Sequence, residues 1–166
     1  LSNTLPAALG DLNREGGIAV VELSELSLRD RKAGIESLLR AIEAFLRSRR
    51  TLHPVYVVLD ECWNFLKSDP VLVQRYFREF RKLNGAAVAV TQSLSDFLTH
   101  ETGQSIFQNA PVRILLRQGE DMSTFQRMLG LNSVELARLK SLRQVRGQYS
   151  ECLIKTPFLS RIGRLH

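Results

Sequence analysis

The 166 residues are 44% hydrophobic and 24% charged, a globular balance that excludes a disordered or low-complexity chain. Lys and Arg number 23 against 17 Asp and Glu, a formal charge of +6, which favours acidic partners such as nucleic acid, nucleotide or anionic lipid and is silent on fold. No apolar run approaches the roughly 18 residues of a membrane span, and two cysteines, Cys62 and Cys152, are too few for a disulfide-stapled secreted scaffold, so a reducing compartment is the default.

In chain order, Leu1-Ser2-Asn3 opens without an initiator Met or a signal-type pattern, and residues 1–17 read as a linker or the end of a preceding segment. Ile18–Leu23, an apolar run after Gly16-Gly17, is a predicted strand. Ser27 and Asp30 have the spacing of a helix start, and Ile35, Leu38, Leu39, Ile42, Phe45 and Leu46 then recur on one helical face. Val55–Leu59 is apolar throughout, as a strand buried on both faces would be. Asp69-Pro70 opens another helix with Leu72, Val73, Tyr76, Phe77, Phe80 and Leu83 as its apolar stripe, and Asn84-Gly85 ends it.

Ala86–Val90 and Val112–Leu116 are further predicted strands. Asp121–Leu129 is a predicted helix stopped by Gly130, and Asn132–Leu142 is a second, with Asn132 and Glu135 spaced for reciprocal capping. Tyr149–Ile154 closes the pattern as a strand, and residues 155–166 form a tail without an assigned element. Strands alternating with helices of this length predict an α/β fold with right-handed crossovers and a mostly parallel sheet.

In such a sheet ligands bind where the carboxyl ends of the strands emerge. Val55–Leu59 delivers Asp60-Glu61 there, and adjacent carboxylates at the end of a buried strand call for a compensating cation. Mg²⁺ with a nucleotide fits: one carboxylate on the ion's water shell, the other on an attacking water. The alternative is an acidic loop start with Asp60 capping the next turn. Ala86–Val90 ends in Thr91-Gln92-Ser93, and a Gln beside the acids can touch a γ-phosphate and the attacking water together. Here the alternative is a polar turn in which Ser93 and Asp96 cap the following segment.

The strings VVLDECWNFL (57–66) and FREFRKLNGAAVAVTQS (77–93), followed by GQYSECLI (147–154), resemble the conjugative type IV secretion ATPases of the TraC-like group. These are RecA-like P-loop motors related to the FtsK/HerA translocases. The resemblance spans about residues 18–154 and implies the C-terminal part of an ATPase domain that works with ATP and Mg²⁺. It implies Asp60 on Mg²⁺ through water, Glu61 as catalytic carboxylate, Gln92 as γ-phosphate sensor with Thr91 beside it on the nucleotide, and an arginine acting on a neighbouring subunit's nucleotide. Arg81 is the candidate for the last role, with Arg78 and Lys82 as neighbours. The implied parent is a homo-oligomer, a hexamer, working with other secretion components at the cytoplasmic face of a bacterial inner membrane. A DNA translocase or coupling protein and a non-catalytic scaffold module are the alternatives.

No G-x-x-x-x-G-K-[ST] occurs in the chain, so the loop that cradles phosphates and supplies a hydroxyl to Mg²⁺ is missing from these residues. The resemblance further implies that the strand entering that loop lies between the acid strand and the Gln strand. A sheet without it is expected to close up or to borrow a strand from another copy.

Three basic clusters remain: Arg47, Arg49, Arg50 and His53; Arg75, Arg78, Arg81 and Lys82; Arg138, Lys140, Arg143 and Arg146. They read as solvated helix faces or as a surface for DNA or a neighbouring subunit. Trp63, just beyond the acids, either packs the base of the site or fills the core with Phe65 and Leu66, the core being the expected place, and both cysteines are expected as small buried hydrophobes. The histidines lack neighbours at ligand spacing, so no structural zinc is predicted.

Overall fold

The computed structural model describes residues 17–22, 27–48, 54–119 and 126–166. The chain divides into two compact units, residues 1–106 and 107–166. Parts of several expected features lie outside the described residues: most of the 1–17 segment, Leu23, the basic residues Arg49, Arg50 and His53, and the first five residues of the helix predicted from Asp121.

In the first unit, helix α1 spans Leu28–Ser48. Its start is set by Ser27, whose Oγ accepts the Asp30 backbone N–H at 3.2 Å and donates to the Asp30 carboxylate at 2.6 Å. The stripe predicted from periodicity faces inward: Ile35, Leu38, Leu39 and Leu46 are buried, Ile42 and Phe45 half-buried. Strand β1 (Val55–Leu59) leads to α2 (Cys62–Ser68), then α3 (Pro70–Glu79), a 3-10 turn (Phe80–Leu83), β2 (Gly85–Ala89), α4 (Leu94–Leu98) and α5 (Glu101–Asn109). Asp69 caps α3 by accepting the Leu72 N–H at 2.9 Å, and Pro70 stands in the first turn, where its missing donor does no harm. Asn84 takes the left-handed conformation (φ 54°) that turns the chain into β2.

β1 and β2 pair in parallel through every residue, Val55 with Gly85 to Leu59 with Ala89. The acid strand and the Gln strand are direct hydrogen-bonded neighbours, one of the two arrangements expected of a sheet without the strand between them. A correction concerns burial. Val57 and Leu59 enter the core, but Tyr56 is 68% exposed and Val58, Val88 and Val90 are exposed with it, so β1 is buried on one face among the described residues. A continuous apolar string reports suitability for two-sided burial; whether a second layer is present is a tertiary matter. Ile18–Glu22, the described part of the first predicted strand, forms no regular element, and Ile18 and Val20 are exposed. A strand exists only through a pairing partner.

The second unit contains β3 (Arg113–Leu116), α6 (Gln126–Leu129), α7 (Ser133–Ser141), β4 (Gln144–Val145), β5 (Tyr149–Lys155) and β6 (Ser160–Leu165). Its strands pair antiparallel, with β5 central: β3 and β4 lie along one edge and β6 along the other. The α/β class holds, but the sheet is not mostly parallel; β1–β2 is the parallel pair among the described residues. The tail left unassigned in the sequence is the strand β6. Lys155 pairs with Ser160 across a loop of Thr156–Leu159, far too short for the crossover a parallel neighbour requires. Thr156 closes that loop, its N–H donating to the Leu159 carbonyl at 2.7 Å and its Oγ1 accepting the Leu159 N–H at 3.0 Å.

Gly130, at φ 61°, ends α6 as expected, and the following Leu131 N–H returns to the Gln126 carbonyl at 3.0 Å. α7 begins in the predicted capping box: Asn132 Oδ1 accepts the Glu135 N–H at 2.8 Å, and Glu135 Oε2 accepts the Asn132 N–H at 2.9 Å. Glu135, 5% exposed, is also held by Lys155 Nζ at 2.7 and 2.8 Å, which joins α7 to β5.

Candidate functional site

The parallel register places the carboxyl ends of β1 and β2 level with one another. Two backbone bonds tie those ends: the Val90 N–H donates to the Leu59 carbonyl at 3.0 Å, and the Cys62 N–H donates to the Val90 carbonyl at 2.9 Å. Asp60 and Glu61 leave β1 at this end, and Thr91 and Gln92 leave β2 there. The acids and the amide singled out in the sequence thus emerge side by side from adjacent strands.

Each side chain has a distinct setting. Asp60 is exposed, and its Oδ1 accepts the Glu61 N–H at 3.0 Å. Glu61 is half-buried, with φ 48° and ψ 51°, a left-handed backbone that is uncommon outside glycine and clusters at functional sites. Its carbonyl accepts the Asn64 N–H at 2.9 Å, starting α2 directly after the strand. One carboxylate oxygen, Oε2, accepts the Trp63 indole N–H at 2.8 Å. Gln92 is exposed and its amide has no protein partner among the described residues. Thr91, expected on the nucleotide, uses its hydroxyl within its own turn, donating to the Ser93 carbonyl at 2.9 Å; Ser93 and Ser95 share a further hydroxyl contact at 2.9 Å.

Arg81 sits elsewhere. It lies in the 3-10 turn Phe80–Leu83 before β2, so roughly 13 Å of strand separates that end from Gln92. Arg81, Arg78 and Lys82 are exposed and make no side-chain ion pair among the described residues. Arg75 and Arg47 are instead committed to Glu43, at 2.7 and 2.8 Å.

Trp63 is the residue that sequence reasoning misplaced. It is half-buried, not a core residue, with its N–H on Glu61 and Lys67 Nζ 4.3 Å from its ring centroid. The Glu-x-Trp spacing across a strand-to-helix turn was the available signal. Cys62, between them, is fully buried, and burial pushes its thiol up to about 12.

The TraG P-loop domain model matches residues 18–160. The chain belongs to the TraG P-loop domain family. It is also similar in fold to a solved structure of VirB4 of Thermoanaerobacter pseudethanolicus, at 24% identity and a TM-score of 0.65 over 86% of this chain. It spans 38% of the length of that protein. No curated protein matches the sequence.

At the strand ends, Asp60 and Glu61 are the carboxylates that could hold a metal ion. Among the described residues no three His, Cys, Asp or Glu side chains gather. The exposed Asp60 carboxylate suits one water-mediated contact to an ion that also takes phosphate oxygens.

Proposed function

We propose that this chain is the part of a conjugative type IV secretion ATPase that carries the hydrolytic carboxylate and the phosphate-sensing amide, and that the whole protein hydrolyses ATP to drive pilus assembly or substrate export. The observation that carries this reading is the in-register parallel pairing of β1 and β2, which brings Asp60, Glu61 and Gln92 to one end. Magnesium bound with the nucleotide would neutralise charge developing on the transferring phosphoryl group. Asp60 would hold that ion through water. Glu61 Oε1, the oxygen without a protein partner among the described residues, takes the proton of the attacking water, and the Gln92 amide orients that water against the terminal phosphate.

Thr91 lies beside the nucleotide; with its hydroxyl hydrogen given to the Ser93 carbonyl, its lone pairs can accept from a water there. Arg81, at the far end of β2, is out of reach of its own chain's carboxylates and serves the nucleotide of an adjacent subunit in a homo-oligomer, in the parent a hexamer. The phosphate-cradling loop and the strand entering it come from residues other than these 166. The assembly works beside other secretion components at the cytoplasmic face of a bacterial inner membrane.

Glu61→Gln in the full-length protein tests this. Turnover is expected to fall by roughly 10²- to 10⁴-fold, the range for a lost general base, with ATP binding retained. Unchanged turnover would overturn the reading and leave a scaffold module.

A further inference from the structure

We propose that Trp63 is a positioning residue for Glu61: its indole N–H fixes one carboxylate oxygen so that the other is the one presented for proton transfer. This rests on the reading of Glu61 as the general base.

The backbone around Glu61 has little freedom. Its N–H is held by Asp60 Oδ1 at 3.0 Å, its carbonyl by the Asn64 N–H at 2.9 Å, and the next residue's N–H by the Val90 carbonyl at 2.9 Å. The left-handed conformation, φ 48°, is therefore locked from both sides. What remains free is the side chain, whose terminal torsion is broad and lets either oxygen face the site. Trp63 removes that freedom, because an N–H bond to Oε2 at 2.8 Å is charge-assisted and directional. The indole is held in turn. Trp63 stands in the first turn of α2, and Lys67, one turn along the same helix, places its Nζ 4.3 Å from the ring centroid. A half-buried tryptophan that merely needed an acceptor would not require a cation on its face or an acceptor with a locked backbone.

Trp63→Phe keeps the ring and deletes the donor. In the full-length protein it is expected to lower kcat roughly tenfold, the worth of one charge-assisted hydrogen bond, with KM for ATP within about twofold and ATP-binding stoichiometry unchanged. Unchanged kcat, or a fall matched by lost stoichiometry, overturns the proposal. Trp63 is the one tryptophan among these 166 residues, so in this 166-residue chain its emission reports the contact directly. Glu61→Ala is expected to shift that emission in the nucleotide-free protein; emission identical to the parent overturns the proposal even where Trp63→Phe does not fold. If Glu61→Gln leaves turnover intact while Glu61→Ala shifts the emission, the hydrolytic reading fails and the hydrogen bond stands. If Glu61→Gln abolishes turnover and Trp63→Phe does not change it, the positioning role alone fails.

Discussion

Glu61 follows a strand by two residues, caps the start of a helix and carries a carboxylate. A left-handed residue performs the reversal within one step, so the side chain stays beside the neighbouring strand end instead of following the helix. That backbone conformation is not legible in the string Asp-Glu-Cys-Trp, because the Cys62 N–H that follows it is held by the distant Val90 carbonyl. The adjacent Cys62 shows environment overriding position. A thiol at a helix start is ordinarily made more acidic, yet burial pushes this one up to about 12. At neutral pH it is protonated and enclosed, and Cys152 is likewise fully buried. Iodoacetamide is therefore expected to leave both cysteines unmodified in the native chain and to modify both in urea. Mass spectrometry showing native modification of Cys62 would contradict the burial argument.

At the scale of elements, caps and apolar stripes were the readable signals. Ser27 with Asp30, Asp69 with Pro70, and Asn132 with Glu135 all start helices where their spacing places them, because a cap satisfies orphan N–H groups within four residues and needs no distant partner. Strand pairing is non-local, and there the reading failed: Ile18–Leu23 gained no partner among its described residues, and the tail gained one. The Glu135–Lys155 pair belongs to this level too. Capping anticipated Glu135 at the start of α7, but its partner comes from the end of β5, twenty residues later.

Burial raises the affinity of the Glu135 carboxyl for its proton, but Lys155 and the Asn132 N–H outweigh it, and the group lies below its ordinary 4.5. A depressed carboxylate contributes stability that is complete above its unfolded value and is lost as pH falls through the folded one. The urea midpoint of the chain is thus expected to drop as pH falls below about 4.5, and Glu135→Gln to flatten that slope. Lys155→Met, which strands the buried charge, is expected to cost about 3 kcal/mol at neutral pH, the lower end for a buried pair because Lys155 is one-fifth exposed. A midpoint unaffected by either change would show that the pair contributes nothing.

At the scale of the whole molecule, the parallel pair β1–β2 brings the acids and the amide together, while its exposed face, with Tyr56 and Val58, has no cover among the described residues. Among those residues no helix is long and apolar enough to cross a membrane. Because no phosphate-cradling loop occurs in the 166 residues, the exposed Asp60 has no phosphate-bound ion to share. A calorimetric titration of this chain with Mg-ATP is expected to show no micromolar binding, and micromolar affinity would refute the assignment of phosphate binding to other residues.

By itself the sequence determined the α/β class, the starts of α1, α3 and α7, and the candidates Asp60, Glu61 and Gln92, since each depends on periodicity or on contacts a few residues apart; the short helices α2, α4 and α5 were not read from it. Tertiary structure alone decided which strands are neighbours and which face of β1 is covered. These are outcomes of long-range pairing, and the same local string is compatible with either result until its partner strand is in place.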